Sequence, residues 1–582
     1  MLQWSDAIFH YGMKDIFLGR VQLLFVLLLL LAFALLGKLF FVQVMHGKDF
    51  KERAGRQYVS SVADAFNRGS IFFTRKDGTL IGAATLKSGF VVAIHPGLLA
   101  DAQEAFKKLF DILPKLDVVA FFLKAGKKDD PYEEIVRRVP EESATRIKEM
   151  EIPGVSIFSE KWRYYPGETI AAHTVGFVGW NGDSLGGRYG LERYYDDVLR
   201  RGEENLYVNF FAEIFANLGK SLFYRGSREG DIVISIEPEV ERHLETVLRD
   251  VVKKWNADSG GAIIIDPKTG AVYALASYPT FDPNHFEKEK KHTIFSNPLV
   301  ENMYEMGSIV KPLTMAAGLD AGVVTAKSTY NDVGSLVLNT ARIGNYDGKA
   351  RGVVSMQEVL NQSLNTGAVH VMQKVGKEKF AKYMLSFGIG EETGIDLPNE
   401  IPGLVTNLKS SRDIEYATAS FGQGIAMTPI AMTRALAVLG NKGVLVTPHI
   451  VTRIDYPLSS KEINLSDDVR RVIKEEAAEE ITRMLVGVVD TALVGGVQKL
   501  PRYSIAAKTG TAQMALPEGG GYYDDRYLHS FFGYFPAYDA RFLVFLYMVY
   551  PKEVRYSSQT LTDPFFDVAK FLINYYEIPP DR

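Results

Sequence analysis

Three short strings at increasing positions hold the residue types for acyl transfer through an alcohol: Ser308-Ile309-Val310-Lys311, Ser363-Leu364-Asn365 and Lys508-Thr509-Gly510-Thr511. A serine hydroxyl is a poor nucleophile until a neighbouring base takes its proton. Residues three apart share one face of a helix, so Ser308 at a helix start sets Lys311 one turn along, aimed back at the hydroxyl. Gly307 lets the chain turn tightly into that helix, and Pro312 is tolerated only in its first turn. A helix start leaves backbone N–H groups free, and that of Ser308 can donate to an oxyanion. Lys311 acts as a base only when neutral. Burial and a second cation both lower a lysine pKa, and Lys508 is the natural second cation.

The other two strings supply the partners. Ser363 and Asn365 point the same way on an extended or loop segment. Asn365 both donates and accepts, so it can hold a neutral lysine and a substrate amide together. Ser363 can relay a proton to a leaving amine. The run Tyr503 to Ala507 reads as a strand leading into Lys508, whose charge suits a substrate carboxylate. Gly510 permits close backbone approach, Thr509 and Thr511 add hydroxyls, and the Thr511 N–H is the expected second oxyanion donor.

Each string alone recurs by chance; the ordered trio, with Thr after Lys-Thr-Gly, is specific. The wider chain agrees. Asn67-Arg68-Gly69-Ser70-Ile71, Arg163-Tyr164-Tyr165-Pro166, and Arg188-Tyr189-Gly190-Leu191-Glu192 with Tyr194-Tyr195-Asp196 precede the trio. Asp266-Pro267-Lys268-Thr269-Gly270, Phe281-Asp282-Pro283-Asn284, Tyr304-Glu305-Met306-Gly307-Ser308 and Phe421-Gly422-Gln423-Gly424-Ile425 surround it. With these blocks the sequence resembles the class B penicillin-binding proteins, the peptidoglycan D,D-transpeptidases. Leu364 stands where the related Ser-Asp-Asn string has Asp, and Met306 where Pro is usual.

Composition bounds the positioning elements. At 582 residues two or more domains are expected, and 47% hydrophobic with 23% charged residues is the balance of a folded protein. A net charge of −4 argues against nucleic acid as a partner. The absence of cysteine excludes disulfides and thiol catalysis. Residues 21–37 carry no charge, and with Lys38 snorkelling the stretch is long enough for a membrane anchor rather than a cleaved signal peptide. The expected order is a tail at 1–20, a single transmembrane helix at 21–45, an elongated α+β pedestal at 46–229 and a transpeptidase domain at 230–582. The last is an α+β, serine β-lactamase-like fold with helices flanking an antiparallel sheet. In it, 237–255 read as a helix, 261–277 and 530–550 as hairpins, and 564–577 as a closing helix. The nearly all-apolar stretch 206–223 suits a membrane or partner contact, with core packing as the alternative. His173 reads as a structural histidine, and the run from His285 to His292 as a solvated charge run.

The resemblance implies the chemistry. Ser308 attacks the carbonyl of the penultimate D-alanine of a stem peptide, with Lys311 as base and Ser363 and Asn365 assisting. Lys508, Thr509, Gly510 and Thr511 form the substrate-binding wall, and an amine from a second stem resolves the acyl-enzyme. No metal or organic cofactor is required, and β-lactams should acylate Ser308. It further implies a polytopic glycosyltransferase partner and a place on the outer side of the cytoplasmic membrane. Tyr304-Glu305 and the tail after Lys508 look more like the division than the elongation type. A β-lactamase is the rival enzyme, but the Glu-x-x-Leu-Asn string used for deacylation in class A enzymes is absent between Asn365 and Lys508. A membrane-anchored penicillin sensor is the rival of another kind.

Overall fold

The computed structural model describes residues 67–182, 184–201, 229–463, 469–516 and 520–582, with Leu30, Leu31 and Lys38 besides. The described chain divides into two compact bodies, Lys87–Trp162 and Arg68–Leu86 with Arg163–Arg582. Among the described residues no helix is long and apolar enough to cross a membrane. The expected anchor at 21–45 lies, those three residues apart, outside the described residues, as does the segment 206–223.

In chain order, β1 (Ile71–Thr74) pairs antiparallel with the start of β2 (Leu80–Ile94), setting Ile71 opposite Ala84. The smaller body follows. Helices α1 (Ala102–Ile112) and α2 (Val118–Ala125) are capped by Asp101 and Asp117, whose carboxylates accept from the first free N–H groups. Strand β3 (Glu133–Val139) pairs with Phe90 to Ile94 of β2, and α3 (Glu141–Glu149) closes the layer. Val92, Leu109, Phe121 and Ile147 form its core.

The larger body holds three of the strings before the trio in one place. Arg68 Nε donates to Glu192 Oε2 at 2.6 Å and Arg163 Nε to Glu192 Oε1 at 2.5 Å, while Arg68 Nη1 reaches Asp196 Oδ1 at 2.7 Å. Glu192 is fully buried. Two guanidinium groups on one buried carboxylate satisfy it, and removal of either leaves an uncompensated charge. His173 is likewise satisfied: Nε2 lies 2.8 Å from Ile294 O and Nδ1 2.9 Å from Ser277 Oγ. Burial pushes it down to about 4, which keeps the ring neutral.

Strand β4 (Asp231–Ile234) runs parallel to β1 and leads into α4 (Pro238–Lys254). Proline at the first turn and the Glu237 side chain, which accepts from Val240 N at 2.8 Å, start α4 where the sequence places it. Next come β5 (Ser259–Ile265), β6 (Val272–Tyr278), α5 (Lys311–Asp320), α6 (Asn365–Val375), α7 (Pro429–Gly440), β7 (Val451–Tyr456) and α8 (Glu475–Gly487). The chain ends in β8 (Ala506–Ala515), β9 (Tyr522–Phe535), β10 (Phe542–Val549) and α9 (Thr562–Tyr575).

The sheet order is β8-β9-β10-β5-β6, all antiparallel, with β8 at one edge. Its two faces bury separate cores. Ile264, Val544, Leu546 and Phe531 pack with Leu244 and Leu248 of α4 and Phe565 of α9. Ile263, Phe545 and Phe532 pack with Leu313 of α5 and Leu436 of α7 on the other face. Period-two alternation sends each side chain to a helix layer, so β5 and β10 read as continuous apolar runs. Both hairpins and the closing helix lie where the sequence puts them. Strand β8 instead begins at Ala506, because Ser504 N donates to Asp581 Oδ1 at 2.7 Å and Tyr503 Oη to Ile578 O.

Candidate active site

Ser308 sits in a single 3-10 turn, Gly307–Val310, and Lys311 opens α5 immediately after it. The expected helix start is therefore a tighter turn feeding the helix. Gly307 has φ 64 and donates to Gly422 O at 3.2 Å. A Cβ on Gly307 would lie 2.7 Å from Thr511 O, and one on Gly422 2.2 Å from Gly307 O. The Ser308 turn is thus pressed between the Gly422 loop and β8, and only glycine fits both contacts. Ser530 of β9 braces it from below, its Oγ donating to Met306 O at 3.0 Å. A Cβ on Gly510 would come within 2.3 Å of that same Oγ.

Lys311 is 1% exposed. Its Nζ donates to Ser363 O at 2.6 Å, Asn365 Oδ1 at 2.8 Å and Ser363 Oγ at 3.2 Å. All three partners are neutral. Burial, and then the Lys508 charge, hold Lys311 well below the usual lysine range. Lys508, also buried, donates to Ser363 Oγ at 3.1 Å and Thr509 O at 3.0 Å, and burial pushes it down to about 8. One serine hydroxyl therefore touches both amines. Ser363 reaches them from a left-handed backbone, φ 55, a strained conformation for a residue with a Cβ. Asn365 is the first residue of α6 rather than part of a loop. Its Nδ2 donates to Gly344 O at 2.9 Å, which fixes the amide with Oδ1 toward Lys311.

Ser308, Ser363, Asn365, Lys508, Thr509 and Thr511 line one cavity of about 430 Å³. Lys311 lies behind them in the wall, and Gly510 turns toward Ser530 instead. Thr511 Oγ accepts from Ser557 N at 3.1 Å, which leaves its own O–H free to donate into the cavity. Sequence reasoning missed several lining residues: Tyr346, Gln362, Tyr527, Arg555, Tyr556 and Ser557. Gln423 was visible only as part of a block without a role. Tyr346 and Tyr556 meet edge to face with centroids 5.8 Å apart. A buried Asp332 supports this side, accepting from Thr366 Oγ at 2.8 Å and Asn345 Nδ2 at 3.0 Å.

A serine in the turn that runs into a buried lysine, with a second lysine sharing the Ser363 hydroxyl, is the arrangement of a serine acyltransferase that uses an amine as its base. The comparisons agree with that class. Residues 260–569 match the penicillin binding protein transpeptidase domain, and residues 66–226 the penicillin-binding protein dimerisation domain. The chain belongs to the penicillin-binding protein transpeptidase family, in the class B arrangement. It is 30% identical over 559 residues to Stage V sporulation protein D of Bacillus subtilis, covering 94% of this chain and 84% of that one. It is 27% identical over 455 residues to the peptidoglycan D,D-transpeptidase FtsI of Escherichia coli, covering 77% and 73%. Penicillin binding protein 3 of Mycobacterium tuberculosis, solved with aztreonam, shares the fold with TM-score 0.67 at 23% identity, over 89% of this chain and 98% of that one.

Proposed function

We propose that this transpeptidase cross-links peptidoglycan stem peptides through an acyl-enzyme on Ser308. Neutral Lys311 takes the Ser308 proton as the hydroxyl attacks the carbonyl of the penultimate D-alanine. The N–H groups of Ser308 and Thr511 hold the oxyanion. Lys508, Thr509 and Thr511 engage the terminal carboxylate, and Gly510 keeps the strand close to the Ser308 turn. Ser363, in reach of both amines, passes the proton to departing D-alanine. An amine of a second stem then attacks the ester and frees Ser308. The observation that carries this reading is Lys311 itself: buried, and bonded to three neutral acceptors. Burial, and then the neighbouring Lys508 charge, hold it well below the usual lysine range, which favours the free amine a base needs.

The same reading places the tail at 1–20, the anchor at 21–45, the pedestal at 46–229 and the transpeptidase domain at 230–582, with that domain outside the cytoplasmic membrane. It includes a polytopic glycosyltransferase as partner, and a division rather than lateral-wall role on the likeness at Tyr304-Glu305. The test is covalent labelling with a fluorescent penicillin, followed by transfer from a D-alanyl-D-alanine peptide to a labelled D-amino acid. The wild type should label at Ser308 and transfer repeatedly, and Ser308→Ala should do neither. Labelling of Ser308→Ala would overturn the nucleophile assignment, and a single turnover without transfer would favour a penicillin sensor.

A further inference from the structure

The cavity holds a cation that the reaction above does not use. Arg555 lines it from the segment after β10. Its guanidinium carbon stands 5.6 Å from the Tyr556 ring centroid and 5.9 Å from that of Tyr527. Among the described residues no carboxylate forms an ion pair with Arg555, and none lines the cavity. The site that already holds one cation for a substrate carboxylate, Lys508, therefore presents a second and offers it no acid of its own. The rings steer the guanidinium without neutralising it.

The position of Arg555 is fixed along the sheet. Strand β8 is an edge, and its register against β9 sets Thr511 opposite His529 and Gln513 opposite Tyr527. Thr511 and Gln513 both line the cavity. An extended peptide added to a free strand edge advances about 3.3 Å per residue, so Gln513 and Tyr527 lie about two residues beyond Thr511. The Arg555 segment is tied down at both levels. Ser557 N donates to Thr511 Oγ at 3.1 Å, and the buried His529 ring lies 3.0 Å from Arg555 O and 2.9 Å from Thr560 Oγ1. Arg555 thus stands beside the path of the donor chain, upstream of the carbonyl that Ser308 attacks.

We propose that Arg555 is a specificity-determining residue that binds a second carboxylate of the donor peptide, carried one or two residues upstream of the acylated D-alanine. The inference rests on the transpeptidase reading given above. The donor is then a peptide with two anionic groups, its terminal carboxylate at Lys508 and a side-chain carboxylate at Arg555. Arginine suits the second role because its planar fork meets a carboxylate with two parallel hydrogen bonds.

The experiment uses the full chain and two synthetic peptides ending in D-alanyl-D-alanine, identical but for glutamate or glutamine at both of the two positions immediately upstream. Transfer to a labelled D-amino acid gives kcat/KM for each. The wild type should prefer the glutamate peptide by about tenfold, the effect of one charge-assisted contact at a partly solvated site. In Arg555→Gln the ratio should fall to about one, and Arg555→Lys should retain part of it, because a point charge attracts without the fork. The preference should also shrink as salt is raised. Penicillin labelling of each variant reports that it is folded. Equal rates for the two peptides in the wild type overturn the proposal alone, as does a preference that survives in Arg555→Gln. No transfer from either peptide by an enzyme that still binds penicillin overturns the transpeptidase reading and this inference together.

Discussion

Replacing Asn365 by aspartate changes one atom type and should remove the base. Asn365 Oδ1 accepts from Lys311 Nζ at 2.8 Å while Nδ2 donates to Gly344 O at 2.9 Å. In Asn365→Asp a carboxylate faces the lysine and favours its charged form. Two unit charges 2.8 Å apart attract by about 6 kcal/mol at an effective dielectric of about 20. At about 1.4 kcal/mol per factor of ten, the ratio of neutral to charged Lys311 falls by about 10⁴. Burial of the new carboxylate opposes its ionisation, and a lysine that starts low absorbs part of the shift, so acylation should slow by up to about 10³-fold. Asn365→Ala loses neutral hydrogen bonds alone and should slow acylation by only about 10- to 50-fold. The assay is the second-order rate of labelling by a fluorescent penicillin across pH. A raised lysine pKa leaves the base protonated at neutral pH, so the aspartate variant should gain about tenfold per pH unit as pH rises. The wild type, with Lys311 held well below the usual lysine range, should rise far less. A loss under tenfold in Asn365→Asp, with an unchanged pH profile, would refute the assignment of Lys311 as the base.

Gly422→Ala should disable the enzyme by sterics, since its Cβ would lie 2.2 Å from Gly307 O at φ +83. We expect a loss of about 2–4 kcal/mol in thermal melting together with loss of penicillin labelling. Gly376→Ala, at φ +85 with open space around it, should cost only about 1 kcal/mol and keep labelling. The neighbouring pair on α4, Glu241 buried and Glu245 half-buried, predicts a pH effect on stability. Leu275 N donates to Glu241 at 2.7 Å and Ala171 N to Glu245 at 2.9 Å. Burial pushes Glu245 up to about 7 and Glu241 well above the carboxylate range. The folded state then binds more protons than the unfolded one, so stability falls as pH rises from about 4.5 through 7. Melting temperatures across that window should decline in the wild type and less steeply in Glu245→Gln, where Glu241 alone still titrates. An equal decline in both would exclude the pair as the cause.

Much of this was legible because the chemistry is local in sequence. Ser308 and Lys311 lie one turn apart, and Lys508 to Thr511 follow one another along β8. Helix α4 carries its period openly because it has one core to face, and the two hairpins show as apolar runs bounded by turns because both faces of the sheet are covered. Tyr346 and Arg555 left no such trace. They reach the cavity from loops distant in sequence, and tyrosine or arginine at an arbitrary spacing has no signature. The left-handed Ser363 could not be read either, since serine does not favour that conformation locally; the packing of Lys311 and Lys508 around it imposes it. Asn365 was expected on an extended or loop segment, where it and Ser363 two residues before would point the same way, yet it opens α6, where the first turn makes few demands on its side chain. Asp332 was invisible because a buried acid with only neutral donors is a product of the tertiary fold.

The Ser363 hydroxyl, touched by two ammonium-capable nitrogens at 3.2 Å and 3.1 Å, gives the resting enzyme a form of economy. Two positive charges that close, out of water, repel strongly, so the pair settles with a single proton between them. Lys508, the less depressed of the two, keeps it. A carboxylate arriving there holds the charge in place, so the neighbouring amine stays free to act while an acyl group is within reach. The donor thus reinforces a division of labour that the empty cleft already has.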